Sequence, residues 1–328
     1  MESNTKSRPL VSIVMATYNG ERFLREQLDS IISQSYSHLE IIIQDDGSSD
    51  ETCTIVKSYA AKDPRIQFFQ NEENLGILQN FYDLLSKASG KYIAISDQDD
   101  IWELKKIELL LNLIGNSSLI YTDSILIDQL GNQSGETLLQ ELGHAPKTGK
   151  GLLDLFTENT ISGHSCIFSK SIVPSVLSNR YQTWGYNMMY DQLIGVCASL
   201  IDGVKYFETP LTYHRIHDKN SHNSNIRIKG HSKSNGDRPR LHYFKRKMQR
   251  VLRKIEAAES KLALIKNLLN SHLVLQQNSF SHHNAEKKFH YCFFNRTLYR
   301  QLVKVGINKV AAKKISRGRL YYIFFRFF

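Results

Sequence analysis

Apolar positions in the first hundred residues alternate between two periods. Leu10–Ala16 is a short, nearly continuous apolar run with β-branched residues, as expected of a strand buried on both faces. Thr17-Tyr18-Asn19-Gly20 reads as a turn, after which Phe23, Leu24, Gln27, Leu28, Ile31 and Ile32 keep helical spacing. Leu39–Gln44 predicts a second strand, and Ser48-Ser49-Asp50-Glu51 has the form of a capping box that opens a helix toward Ala61. Arg65–Gln70, Ile77–Ala88 and Lys91–Ser96 follow as strand, helix and strand. The order βαβαβαβ predicts an α/β fold built on a mostly parallel sheet covered on both faces.

From Ile101 the pattern loosens. It predicts a helix through Ile107–Ile114, a strand Leu119–Thr122 and a polar loop over Gly131–Gly151. A less regular α+β half continues to about His222. It contains Ile161-Ser162-Gly163-His164-Ser165-Cys166 and Tyr190-Asp191-Gln192. Ser, Asn, Gly and Lys/Arg then dominate, which predicts a linker over 223–240. Past it, Met248, Val251, Ile255, Ala258, Leu262, Ile265 and Leu269 recur at steps of three and four, an amphipathic helix with a basic opposite face. The expected organisation is a catalytic domain over 1–222, with halves at about 9–115 and 116–222, then the linker and a basic helical tail over 241–328.

Charge sharpens this division. Residues 1–225 carry 18 Lys+Arg against 28 Asp+Glu, and residues 226–328 carry 24 against 4, so the net charge of +10 sums a domain of −10 and a tail of +20. Such a tail suits an anionic surface. The closing run Arg319-Leu320-Tyr321-Tyr322-Ile323-Phe324-Phe325-Arg326-Phe327-Phe328 adds interfacial aromatics, which favours lipid headgroups over nucleic acid. No apolar stretch approaches the roughly 20 residues of a spanning helix, and Met1–Arg8 lacks a signal-peptide apolar core, so a cytoplasmic protein is expected. Cys53, Cys166, Cys197 and Cys292 are scattered without a C-x-x-C pair, as expected of reduced thiols.

Candidate chemistry sits where apolar runs end in acids: Ile41-Ile42-Ile43-Gln44-Asp45-Asp46-Gly47-Ser48 and Tyr92-Ile93-Ala94-Ile95-Ser96-Asp97-Gln98-Asp99-Asp100. Strand ends of an α/β sheet face the ligand crevice, and carboxylates gathered there repel one another unless cations or donors compensate. Mg²⁺ or Mn²⁺ bridging to a diphosphate is the economical compensation. The first cluster alone also satisfies a strand-end turn with a helix cap; the two together do not reduce to caps. Neither G-x-G-x-x-G nor G-x-x-x-x-G-K-[ST] occurs, which removes the usual support for hydride transfer and P-loop hydrolysis.

Val11-Ser12-Ile13-Val14-Met15-Ala16-Thr17-Tyr18-Asn19, Asp45-Asp46-Gly47-Ser48 and Asp97-Gln98-Asp99-Asp100-Ile101-Trp102 stand in the order and spacing of a known family. Over roughly residues 9–220 the chain resembles a family 2 glycosyltransferase with the GT-A fold. Ser96–Trp102 with Tyr190-Asp191 and Tyr213-His214-Arg215-Ile216-His217 resembles the rhamnosyltransferase-like branch of bacterial polysaccharide biosynthesis. Two departures stand out: Gln192-Leu193-Ile194 replaces an aromatic-rich segment after Asp191, and His214 is inserted in a Tyr-Arg-x-His pattern.

The resemblance implies that Thr17, Tyr18, Asn19, Asp45 and Asp46 hold the base and ribose of a nucleotide sugar, with Asp97 and Gln98 beside them. It implies Asp99 as metal ligand, and His217 with Arg215 near the metal or diphosphate. Asp191 is the expected general base of an inverting transfer, which needs one carboxylate to take the acceptor's proton; the same residue could cap a helix beginning near Gln192. His164 reads as a buried hydrogen-bonded histidine or an acceptor-site residue, and Trp102 as an anchor for the helix that follows. The implied donor is dTDP-rhamnose or a UDP-sugar, and the implied acceptor is a glycan or polyprenyl-diphosphate-linked intermediate at the inner face of a bacterial plasma membrane. Two competing readings are a metal-dependent nucleotidyltransferase, which would release pyrophosphate, and a nucleic-acid-binding protein acting through the tail. The acidic first 225 residues oppose the second, so no nucleic-acid partner is expected.

Overall fold

A computed structural model describes residues 8–151, 155, 158–179, 189–218 and 220. The first part runs β1 (Val11–Thr17), α1 (Leu24–Ile32), β2 (Leu39–Asp45), α2 (Thr52–Ala60), β3 (Ile66–Gln70), α3 (Ile77–Lys87) and β4 (Tyr92–Ser96). It continues through β5 (Ile101–Trp102), α4 (Lys106–Ile114), β6 (Leu119–Thr122), β7 (Ile125–Ile127), β8 (Gln133–Thr137) and α5 (Leu138–Leu142). After a 3-10 turn at Gly163–Ser165 come β9 (Cys166–Ser169), α6 (Val173–Ser178), α7 (Tyr190–Ile201), β10 (Val204–Phe207) and β11 (Thr212–Arg215).

Seven strands form one sheet in the order β10-β6-β9-β4-β1-β2-β3. All are parallel except β9, which runs antiparallel to both β4 and β6. This is the mostly parallel α/β sheet that the alternating periods predict. β1 is buried along almost its whole length, because helices cover both faces. Leu24, Leu28 and Ile31 of α1 pack with Val11, Ile13, Met15, Ile41 and Ile43 in the main core. Truncating such a side chain to alanine costs about 2–5 kcal/mol.

Topology then positions the site. β1 is flanked by β2 on one side and β4 on the other, so the chain order reverses there and a crevice opens beyond the carboxyl ends of the strands. Thr17 ends β1, Asp45 ends β2, and Asp97 follows β4. A second sheet, β5-β11-β7-β8, lays β11 antiparallel to β5 directly after the Asp99-Asp100 turn.

Two expectations need correction. Ser48–Glu51 forms no capping box: Ser48 donates its N–H and hydroxyl to Asp45 at 2.8 and 2.5 Å, and α2 starts at Thr52 without a side-chain cap. An aspartate three residues upstream captured the serine in a local turn. The predicted loop at 131–151 contains β8 and α5, because β7 supplies a pairing partner and Leu138 is buried with Leu126 and Ile216. Neither partner is visible in a local window.

Cys53, Cys166 and Cys197 are free thiols. Among the described residues no helix is long and apolar enough to cross a membrane. The linker at 223–240, the tail at 241–328 and Cys292 lie outside the described residues.

Candidate active site

The turn after β1 is locked by residues at and just past the ends of the two neighbouring strands, β2 and β4. Thr17 donates its hydroxyl to Asp45 Oδ1 at 2.9 Å, and both are fully buried. Asn19 holds φ at 46°, a left-handed conformation that asparagine tolerates. Its N–H donates to Ser48 Oγ and its Oδ1 accepts from the Ser49 N–H, both at 2.9 Å. Gln98 clamps Tyr18 from across the crevice: Oε1 accepts from the Tyr18 N–H at 2.9 Å and Nε2 donates to the Tyr18 carbonyl at 3.1 Å. That clamp requires Gly20, since a Cβ there would lie 2.3 Å from Gln98 Oε1. The Tyr18 ring is left about half exposed, at 49%.

Asp46 is the anchor of the loop beyond β3. Its carboxylate accepts from Asn71 Nδ2, the Leu75 N–H and the Gly76 N–H at 2.8–2.9 Å, and its carbonyl accepts from Asn74 Nδ2. Gly47 between the two turns has φ 80°, so a glycine is needed there.

The second acidic turn distributes its three aspartates in three directions. Asp97 Oδ2 faces His164 Nδ1 at 3.1 Å. Asp99 Oδ2 faces His217 Nε2 at 2.8 Å and Asn220 Nδ2 at 3.4 Å. Asp100, fully buried, accepts at Oδ1 from His214 Nδ1 at 2.9 Å and the Arg215 N–H at 3.1 Å. Burial pushes the Asp99 carboxyl up, the His217 hydrogen bond opposes this, and the neighbouring Asp100 and Asp97 charges raise it further. For Asp100 burial also pushes up, but the His214 charge and hydrogen bond outweigh it and the carboxyl is held down at about 2. Burial lowers His214, and the Asp100 carboxylate more than reverses this, raising the imidazole to about 9. The two form a buried imidazolium–carboxylate pair.

Arg215 is buried behind the acidic turn. It is 1% exposed and donates to Glu26 Oε2 at 2.6 Å, to the Asp99 carbonyl at 3.0 Å and to the carbonyls of Asp128 and Gln129. A buried guanidinium must satisfy its donors, and these partners take them. The resemblance put Arg215 near the metal or the diphosphate; the structure places it beside the expected metal residue Asp99, at that residue's carbonyl, with its remaining donors tying α1 and the β7–β8 turn together. Lys106, also fully buried, sits over the Trp102 ring at 3.6 Å and donates to Thr212 Oγ1 at 2.9 Å and to the His164 carbonyl. Burial lowers its amine to about 7. Trp102 is thus the expected anchor, 3% exposed.

Two groups offer metal-ligand atoms. Asp97, Asp100, His164 and His214 bring one atom each within 4.8 Å of one another. Their imidazoles, however, stack in parallel at 4.6 Å and 6°, and ring nitrogens bind cations in the ring plane, so the two lone pairs do not converge. His214 is moreover protonated toward Asp100. Asp99 and His217 instead meet through the very atoms that a cation uses, at the partly open end of the turn. The donor set, a carboxylate and an imidazole with room for phosphate oxygens, fits Mg²⁺ or Mn²⁺.

Asp191 occupies the first turn of α7, whose N-cap is Met189. Asp191 Oδ1 accepts from the Gln192 N–H at 2.6 Å and from Asn159 Nδ2 at 3.1 Å, and Asn159 Oδ1 in turn accepts from the Ile161 N–H. Tyr190 beside it is buried and stacked on Phe81 at 4.0 Å. Sequence reasoning missed Asn159, Glu26, Lys106 and the Asn71–Gly76 loop as partners of the site. The only sequence signal available was their polarity within otherwise apolar or turn-forming surroundings.

The model of the glycosyl transferase family 2 matches residues 12–177, half of the chain. Among curated proteins, the putative glycosyltransferase EpsE of Bacillus subtilis is 37% identical over 136 residues, covering 40% of this chain and 49% of that protein. The putative teichuronic acid biosynthesis glycosyltransferase TuaG of the same organism is 35% identical over 144 residues, covering 44% and 56%. The match thus spans about half the length of these relatives. Among solved structures, S. aureus TarS 1-349 in complex with UDP-GlcNAc aligns with TM-score 0.52 at 17% identity, over 90% of this chain and 82% of that one. At that identity the likeness speaks for the fold, which is the GT-A arrangement of a mostly parallel sheet with its crevice at the strand ends. The chain is a member of the glycosyl transferase family 2.

Proposed function

We propose that the protein is an inverting glycosyltransferase. It moves a hexose or deoxyhexose from a nucleoside-diphosphate sugar to a polysaccharide or lipid-linked oligosaccharide intermediate. The observation that carries this reading is the meeting of Asp99 and His217 at the switch point of the sheet, beside the turn formed by Thr17, Tyr18, Asn19 and Asp45. The names of relatives support it. The E. coli protein WfgD, 35% identical over 121 residues, is a UDP-Glc:alpha-D-GlcNAc-diphosphoundecaprenol beta-1,3-glucosyltransferase, and TarS was solved with UDP-GlcNAc and with UDP.

In the proposed mechanism, Tyr18 stacks on the base while Asp45 and Asp46 shape the pocket that receives base and ribose. Asp97 accepts from the ribose, and Gln98 fixes the Tyr18 turn. Asp99 and His217 would hold Mg²⁺ or Mn²⁺, which as a Lewis acid supplies charge stabilisation for the departing diphosphate. Asp191, oriented by Asn159, takes the acceptor hydroxyl proton as its oxygen bonds to the anomeric carbon and the bond to the diphosphate breaks. Single displacement needs one such base and gives inversion.

Rhamnose from dTDP-rhamnose remains a donor to test beside UDP-sugars, since the motif resemblance favours the first and the relatives' names the second. The basic, aromatic-ended tail would bring the enzyme to the anionic inner face of the plasma membrane, where a polyprenyl-linked acceptor resides.

The test is nucleoside diphosphate release from a panel of dTDP-, UDP- and GDP-sugars, with Mn²⁺, Mg²⁺ or EDTA, with and without lipid-linked acceptor. Metal-dependent, acceptor-stimulated release from one donor is expected. Release of sugar 1-phosphate from these donors instead of nucleoside diphosphate would replace glycosyl with nucleotidyl transfer, and silence from folded protein across the panel would overturn the enzymatic reading.

A further inference from the structure

Asp97 is held from below by a histidine that the donor-site reading leaves without a task. His164, 4% exposed, presents Nδ1 to Asp97 Oδ2 at 3.1 Å and Nε2 to Ser124 Oγ at 3.0 Å. Its ring stacks in parallel on His214, and its carbonyl accepts from the buried Lys106. The ring therefore has one orientation available.

The partners also select the tautomer. An ionised Asp97 only accepts, so the hydrogen must sit on Nδ1, which leaves Nε2 to accept from the Ser124 hydroxyl. Asp100 Oδ2, buried and without a hydrogen-bond partner among the described residues, lies 3.6 Å from the same Nδ1. One N–H thus stands between two carboxylates that would otherwise repel, one buried and one facing the crevice. Ser124 lies between β6 and β7, while Asp97 directly follows β4, so the relay connects two loops distant in sequence.

We infer that His164 is a positioning residue that orients Asp97 for the donor nucleotide, its tautomer set by Asp97 and its ring held by Ser124. The inference rests on the proposed donor role of Asp97 and adds the groups that make that carboxylate competent.

An asparagine amide nitrogen can occupy the place of His Nδ1, and a glutamine amide nitrogen the place of Nε2. His164→Asn therefore keeps the donor to Asp97 and drops Ser124, whereas His164→Gln, nearer in volume, does the reverse. Titration calorimetry of the full chain with UDP and with dTDP, on wild type, His164→Asn, His164→Gln and Asp97→Ala, separates the possibilities. His164→Gln is expected to weaken nucleotide binding about tenfold or more, the scale of one lost hydrogen bond to a charged group, and His164→Asn less than about threefold. Wild-type affinity in His164→Gln with weak binding in Asp97→Ala would overturn the positioning role alone, as would equal losses in both histidine variants. Wild-type affinity in Asp97→Ala, or no binding of either nucleotide by wild type, would overturn the donor-site reading beneath it. Should the variants fail to fold, imidazole ¹⁵N–¹H correlation spectra of the wild type decide: a protonated Nδ1 and bare Nε2 on His164 are expected, and a protonated Nε2 facing Ser124 with a bare Nδ1 would overturn the inference.

Discussion

His217 Nε2 lies 2.8 Å from Asp99 Oδ2 although 118 residues separate them. The His217 ring also packs on Phe23 at 5.0 Å between centroids, which limits its rotation. A cation entering between carboxylate and imidazole would find both ligands already aimed. Asp99→Asn and His217→Ala are each expected to weaken Mn²⁺ binding about tenfold or more, read by electron paramagnetic resonance of free Mn²⁺. Unchanged affinity in both would remove the metal from this pair.

Asp191→Asn keeps the shape of the side chain and its contact with Asn159 but removes the base. Turnover should fall about 10²–10⁴-fold while UDP affinity stays within about threefold. A normal rate with the natural acceptor would assign proton removal to another group.

Gly20→Ala probes the clamp on Tyr18. Because the new Cβ meets only the flexible end of Gln98, the melting temperature should drop by less than about 3 °C. Displacing Gln98 breaks both of its bonds to the Tyr18 main chain, so UDP affinity should fall about tenfold. An equal loss of stability without loss of affinity would separate the turn from the nucleotide site.

The His214–Asp100 pair gives stability a pH signature. His214 is raised from 6.5 to about 9 on folding, so its contribution is full below pH 6.5 and fades as pH rises through about 9. Over that window the loss amounts to about 3 kcal/mol as an upper figure, at about 1.4 kcal/mol per unit. Asp100 is lowered to about 2, so its share appears above pH 4 and is lost in stronger acid. Denaturant unfolding in EDTA should show the wild type exceeding His214→Asn most between pH 4 and 6.5, with the gap closing toward pH 9. A gap independent of pH would mean that His214 is neutral in the folded protein.

Residues 226–328 carry 24 basic against 4 acidic side chains. Deleting 241–328 should release the protein from phosphatidylserine vesicles in a sedimentation assay, since each basic side chain near such a surface contributes about 1 kcal/mol. Continued sedimentation of the shortened chain would place the membrane contact in the first 240 residues.

Local pattern sufficed where one strand or helix buries itself against many equivalent neighbours. The apolar run at Val11–Thr17 and the spacing of Leu24, Leu28 and Ile31 carry their burial in the sequence, and the element order alone implied a ligand crevice with acids at the strand ends. Asp99 and His217 were legible through a motif resemblance, but their meeting was not, because pairing β11 with β5 and β7 is a long-range event. The same holds for Arg215, which the motif directed to the metal or diphosphate and whose actual partners, Glu26 and the Asp99 main chain, only the tertiary structure supplied. Ser48 went to Asp45, three residues upstream, rather than to a helix cap, a local competition that the capping-box pattern alone does not show. The sequence by itself determined which residues are apolar enough to build the sheet and which acids lie at its edge. Only the folded chain decided which imidazole, amide or guanidinium each acid meets, because a buried charge takes its partner from whichever loop the topology brings within reach.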